Sequence, residues 1–159
     1  MTREQFITCV EGTQKAFRRF LAALCCGNSA LADDIAQEAY IKAYLACENI
    51  NDAEKFNAWI VRIGYNAFID HRRLAKDFVD YDRAQALEAD DAPDSAFRYQ
   101  ALYAALNRLP PKERTSVLLY YMEGYSVKEI ADIVEASQDA VKQHLSRGRS
   151  HLRGLLATQ

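Results

Sequence analysis

The side chains best suited to recognition chemistry lie near the C-terminal end. Lys142, Arg147, Arg149 and Arg153 occur there with Gln143, His144, Ser146 and His151, and no acid interrupts them. Arginine and lysine neutralise phosphate or reach guanine edges, and glutamine can pair with adenine. Lys142, Arg149 and Arg153 recur at helical spacing, so a nucleic-acid contact face and the solvated face of an ordinary helix both fit this stretch. Elsewhere, Asp33, Asp34 and His71 are the candidates for acid–base or metal chemistry. Neither a pocket pattern nor a ligand spacing accompanies them, so no catalytic residue, metal site or cofactor is expected. Cys9, Cys25, Cys26 and Cys47 form no CxxC and no zinc pattern. Adjacent cysteines on a helix point in different directions, which disfavours a Cys25–Cys26 disulfide and leaves reduced core thiols as the reading.

The basic run must be positioned by local structure. Ser126 and Glu129 have the Ser-x-x-Glu spacing of a capping box, ahead of Ile130, Ala131 and Val134 on one helical face. Ser137 can cap a second helix in which Val141, Leu145 and Leu152 recur. Two short helices with a small Ala131 where they approach form a helix-turn-helix pattern.

The net charge of −2 hides a segregated distribution. Residues 1–75 hold nine basic and nine acidic side chains, residues 76–95 two and seven, and residues 96–159 nine and six. A neutral half, an acidic connector and a basic half describe a modular chain. Half the residues are apolar and 26% charged, an ordinary globular composition. No run is long and apolar enough to insert in a membrane, and the start lacks a signal-peptide layout, so a cytoplasmic location is expected.

The periodicity predicts helices throughout. The first spans Thr2 to about Cys26, with Phe6, Val10, Phe17, Phe20, Leu21 and Leu24 inward and Gly27-Asn28 as a stop. The second runs from about Ala30 to Cys47, with Leu31, Ile35, Ala39, Ala43 and Leu45 as core positions. Asp33, Asp34, Gln37 and Glu38 cluster over its first half. The helix dipole favours acids there, but the cluster extends past the first turn. A solvated face and a docking face for a basic partner both remain open. Asp52 can cap a third helix to about Lys76, with Phe56, Trp59, Ile60, Ile63, Ala67 and Ile69 inward. Its other faces carry Arg62, Asn66, His71, Arg72 and Arg73 beside Tyr65 and Phe68, a mixture able to stack on and hold single-stranded nucleic acid, or core aromatics beside solvated charges. Phe78 to Ser95 reads as a linker. Asp94 or Ser95 opens a helix to Asn107 with Phe97 inward, Pro110-Pro111 breaks it, and Lys112 to Glu123 forms another, ended by Gly124.

Three blocks in this order resemble a known family. Ala32 to Tyr44 resembles the polymerase-binding segment of extracytoplasmic-function (ECF) sigma factors. Phe56 to Asn66 is similar to their promoter-melting segment, and Leu106 to Leu109, Pro110, Lys112-Glu113-Arg114 and Tyr125 to Arg149 to their C-terminal domain. The resemblance implies an all-α chain of two small helical domains joined by an acidic linker, with divisions at 1–76, 77–95 and 96–159. It implies a subunit that binds core RNA polymerase and directs it to promoter DNA, without catalysis of its own. Asp33, Asp34, Gln37, Glu38 and Ile41 would face the clamp helices of the large polymerase subunits, whose flap would meet the second domain. Asn49, Asn51, Phe56, Arg62, Asn66, Arg72 and Arg73 would hold a flipped base and the open −10 strand. Lys142, Gln143, His144, Arg147 and Arg149 would enter the −35 major groove. An anti-sigma factor is a candidate further partner.

The chain departs from the family pattern in the helix-turn-helix. Glu135 stands where glycine is frequent, and a left-handed backbone there costs about 1–2 kcal/mol. Asp139 and Ala140 replace a common Gly-Thr, and His144 replaces a frequent arginine. Two non-enzymatic alternatives stay open. A sigma mimic that binds only an anti-sigma factor would need no basic Lys142–Arg153 face. A dimeric repressor would need neither the acidic cluster nor the Trp59–Asn66 block.

Overall fold

The computed structural model describes residues 1–77 and 93–157, with side chains described for 1–75 and 100–157. The described regular structure is helical, in seven α-helices. Residues 78–92, most of the expected acidic linker, and the side chain of Phe97 lie outside the described residues.

Helices α1 (Arg3–Leu24), α2 (Ser29–Leu45) and α3 (Phe56–Asp77) form the first module. A capping box starts α1, in which Thr2 and Gln5 exchange side-chain and backbone hydrogen bonds. The chain leaves α1 through two left-handed residues, Cys26 (φ 53) and Gly27 (φ 85). Gly27 suits its place twice over: the conformation favours glycine, and a Cβ would lie 3.2 Å from the Tyr103 ring. The Asn28 side chain accepts from the Leu31 amide and caps α2. Two 3-10 turns, Cys47–Asn49 and Ala53–Lys55, precede α3, and Asp52 accepts from the Glu54 amide. The third α-helix therefore starts three residues later than Asp52 alone suggests.

Phe17, Phe20, Leu21, Leu24, Ile35, Ala39, Phe56 and Ile60 are buried at the centre of this module. Each large apolar side chain removed from water there contributes roughly 1.5–3 kcal/mol. Gly64 lets α3 approach α1, since a Cβ would stand 2.8 Å from the Phe17 ring. All four cysteines are free, with Cys25, Cys26 and Cys47 buried. Burial pushes the Cys25 thiol up to about 12.

Helices α4 (Pro93–Asn107), α5 (Pro111–Val117), α6 (Val127–Val134) and α7 (Gln138–Ala157) form the second module. Proline opens both α4 and α5, where its missing N–H costs nothing. The helix expected to run from Lys112 to Glu123 instead gives way to a π-helical turn at Leu118–Met122. There Tyr121 is 55% exposed. Gly148 is what lets α7 lie against α5, for a Cβ would meet Val117 Cγ2 at 2.7 Å. Leu45, expected inward, is 77% exposed, because two helical steps beyond buried Ala43 turn it to the opposite side.

The modules pack together chiefly through α3 against α6, and through Arg114 of α5. This guanidinium is 2% exposed and has no carboxylate partner among the described residues. It donates to the carbonyls of Leu106 (2.8 Å), Leu24 (2.9 Å), Asn107 (3.3 Å) and Leu109 (3.3 Å). Only Leu24 belongs to the first module. Burial lowers the Arg114 pKa from its ordinary value. Replacing Arg114 by alanine orphans these carbonyls and should reduce the unfolding free energy by about 2–4 kcal/mol. Arg18→Ala, at an exposed pair with Asp33, should change it by less than about 0.5 kcal/mol. Urea unfolding of both variants checks this, and equal losses would remove Arg114 as the main tie.

Candidate nucleic-acid interface

The helix-turn-helix forms as its capping signals require. Ser126 Oγ accepts from the Glu129 amide at 3.1 Å, and Glu129 Oε1 accepts from the Ser126 amide at 3.2 Å. Ser137 Oγ accepts from the Ala140 amide at 3.0 Å and starts α7. Ile130, Ala131, Ile133, Val141 and Leu145 are buried between the two helices. Glu135 ends α6 at φ 55 and ψ 51, the left-handed conformation that its sequence position demands and its β-carbon opposes.

The groups expected to read DNA are divided around α7. Lys142, Gln143, Arg147 and Arg149 are exposed. Arg149 Nη1 donates to the Tyr121 hydroxyl at 2.8 Å, which steadies it against the π-helical turn. His144 instead faces inward and is half-buried, with Nδ1 enclosed and without a hydrogen-bond partner. Burial, then the Lys112 and Arg147 charges against an opposing Glu113, holds its pKa below the ordinary 6.5. In this arrangement His144 is a wall of the inter-module cleft rather than part of an outward reading face.

Helix α3 shows a comparable division. Phe56 is 1% exposed and packs edge-on to Phe6 and Trp59, so its ring is core and not available to stack on a base. Tyr65 and Phe68 are also buried, with Glu135 and Arg114 of the second module beside them. The Phe68 ring has the guanidinium carbons of Arg72 and Arg114 each 5.9 Å from its centroid. Arg62 pairs with Glu135 of the helix-turn-helix turn. Asn66, Arg72 and Arg73 share a cleft of about 550 Å³ with His144 and Arg147. Asn49 and Asn51 are exposed before the opposite end of α3, about 20 Å away along the axis. The structure thus joins part of the expected −10 set to part of the −35 set, and leaves the two asparagines apart.

The acidic cluster lies on an open face. Asp33, Asp34, Gln37, Glu38 and Ile41 are all exposed, and Ile35, Ala36 and Ala39 are buried behind them. Asp34, Glu38, Ile41 and Leu45 follow one another at three- and four-residue steps, and Gln37 lies three after Asp34 and four before Ile41, giving a single stripe. Leu45 is the member that periodicity alone assigned inward. Its place four residues after Ile41 was the signal for the exposed stripe. His71 of α3 lies 3.3 Å from Glu38, and Arg18 of α1 lies 3.3 Å from Asp33.

A helical chain with a helix-turn-helix in one module and an exposed acidic helix face in the other has the make-up of a two-module transcription protein. The family model described as Sigma-70 region 2 matches residues 9–77, and that described as Sigma-70, region 4 matches residues 99–152. The ECF RNA polymerase sigma factor SigW of Bacillus subtilis is 32% identical over 142 residues, covering 80% of this chain and 76% of the relative. The ECF sigma factor SigE of Mycolicibacterium smegmatis is 33% identical over 141 residues, 82% of this chain and 54% of its own. The solved sigma factor RpoE of Bartonella quintana, in complex with the anti-sigma factor NepR, superposes with a TM-score of 0.82 at 23% identity, covering 96% of each chain. CnrH, solved with the cytosolic domain of CnrY, superposes at 0.64 and 25% identity, covering 99% of this chain and 97% of its own.

The chain belongs to the ECF RNA polymerase sigma factors. It is a promoter-directing transcription protein rather than an enzyme, and recognition of −35 and −10 elements is the general role of its family. Bacterial origin fits. Among the described residues, no helix is long and apolar enough to cross a membrane.

His144 gives this interface a pH signature. Its folded pKa is depressed, so the unfolded chain binds more protons as pH falls below 6.5. Stability should therefore decline on acidification through that range, and His144→Gln should flatten the slope. Urea midpoints from pH 7.5 to 5.5 test this, and an unchanged slope in the variant would remove the histidine as the cause.

Proposed function

We propose that the exposed stripe Asp34, Gln37, Glu38, Ile41, flanked by Asp33, is the surface that docks on the clamp helices of core RNA polymerase. The carrying observation is that stripe itself. Four polar or acidic side chains and an apolar residue lie open on a rigid, well-packed helix, where a solvated face would have no use for Ile41 at 61% exposure or Leu45 beside it. The second module would meet the polymerase flap and present Lys142, Gln143, Arg147 and Arg149 to the −35 major groove. His144 would join them after the modules part. Asn49, Asn51, Arg62, Asn66, Arg72 and Arg73 would hold the open −10 strand, with Phe56 supporting the fold behind them.

Geometry adds a requirement. The −35 and −10 elements lie about 25 base pairs apart, or roughly 85 Å along a duplex. A compact chain of this length has a radius of gyration near 15 Å. Both elements can be held together only if the modules separate. Residues 78–92 between α3 and α4 can reach at most about 50 Å, which the modules' own dimensions extend. Domain divisions at 1–76, 77–95 and 96–159 suit that use. The protein would work in the cytoplasm, with polymerase and chromosome, and an anti-sigma factor of the kind seen with RpoE would be a natural regulator.

Run-off transcription with cognate core polymerase on genomic promoter fragments tests the reading. Discrete transcripts should appear with the protein, and polymerase affinity should fall at least about tenfold on Asp34→Lys with Glu38→Lys. Arg147→Ala should weaken promoter binding and reduce the salt slope by about one. Unchanged polymerase affinity after the double reversal would refute the docking surface. Absence of both binding and transcripts would refute the assignment and favour a sigma mimic.

A further inference from the structure

Promoter recognition leaves the closed inter-module cleft unexplained. Arg72 and Arg73 reach it from α3, Lys112 from α5 and Arg147 from α7, around about 550 Å³. None of the four has an acidic partner among the described residues. The acid in the wall, Glu113, is engaged by His151 Nδ1 at 2.6 Å. His144 adds an enclosed Nδ1 without a partner, while Ile69, Pro110 and Pro111 supply an apolar side. Like charges from two modules thus face one another across a gap, an arrangement that repels until an anion enters it. The volume lies in the range of small-molecule sites, with an apolar wall and convergent polar groups. A duplex does not fit between the modules while they remain packed.

We propose that this cleft binds a small polyanion with two or more linked phosphates, held by Arg72 and Arg73 on one side and Lys112 and Arg147 on the other. Arginine forks match phosphate oxygens in bidentate fashion, and linked phosphates can reach both walls at once. The ligand bridges the modules and keeps them closed. Its consequence for transcription rests on the sigma-factor reading above, because the same Arg72, Arg73 and Arg147 are then withheld from promoter DNA.

Titration calorimetry of the full chain with inorganic triphosphate, at fixed ionic strength, tests the site. Saturable binding is expected, weakened about tenfold or more by Lys112→Glu. Lys112→Gln removes the charge without adding an acid, and serves if the first variant folds poorly. Lys112 lies outside the proposed DNA contacts, so either variant should keep run-off transcription. Solution scattering should show a radius of gyration held or reduced by triphosphate. Tighter binding of a nucleoside triphosphate than of inorganic triphosphate would support the site and assign the apolar wall to a base. Equal affinity would support it as a reader of phosphate alone. No saturable binding, binding as tight as the parent chain's by both Lys112 variants, or a rise in radius would overturn the proposal. A chain that gives transcripts without binding triphosphate loses only the cleft site. One that binds triphosphate without giving transcripts loses only the sigma reading.

Discussion

A buried guanidinium that must find oxygen atoms decides how this molecule is arranged. Arg114 is removed from water, so its donors need acceptors or the charge would cost several kcal/mol. The end of α4 and the Leu109 turn supply three carbonyls of its own module. The fourth, from Leu24, comes from the C-terminal end of α1, where carbonyls are left unpaired by the helix and the dipole is negative. Two backbone ends with spare acceptors are therefore joined by one cation. Once α5 is seated there, α3 packs against α6, and the Phe68 ring has Arg114 and Arg72 beside it.

That tie is firm locally but does not make the closed state permanent. If the modules part, Arg114 keeps its own-module carbonyls, and water replaces Leu24 for a net change of about 1.5–3 kcal/mol, the range for a charged donor. The Arg62–Glu135 pair across the junction is exposed on both sides and contributes little, whereas in Arg19–Glu123 the arginine is 58% exposed but the carboxylate only 9%. Opening would also uncover the side of Phe68 that faces Arg114, a further cost of apolar exposure. Strain at Glu135 belongs to the turn itself and persists in either arrangement. The closed chain leaves the α2 stripe fully accessible while it covers the α3 aromatics. On the proposed reading, polymerase can therefore engage α2 before the DNA-binding faces are released.

Much of the fold could be read from the sequence because the signals were local. Ser126 with Glu129, Ser137, Asn28 and Gly27 act within a few residues, and each performs the capping or stop that its type allows. The apolar spacing of α1 and α3 likewise identified Phe17, Phe20, Ile60 and Ala67 as core. What escaped was set by contacts distant in the chain. Nothing near Tyr65 or Phe68 distinguishes an aromatic waiting for a base from one covered by a helix seventy residues later. For Phe56 the apolar spacing already pointed inward, and its edge-on pairing with Phe6, fifty residues earlier, is the contact that the sequence does not show. Gly64 and Gly148 carry no turn signal, because their reason is the Phe17 ring and the Val117 methyl opposite them. Leu45 failed for the opposite cause: its exposure follows from one helical stripe, but apolar residues are normally assigned inward. The acidic cluster admits a docking face from the sequence alone, but Leu45 joins its exposed stripe only once Ile35, Ala39 and Ala43 fix the buried face of α2.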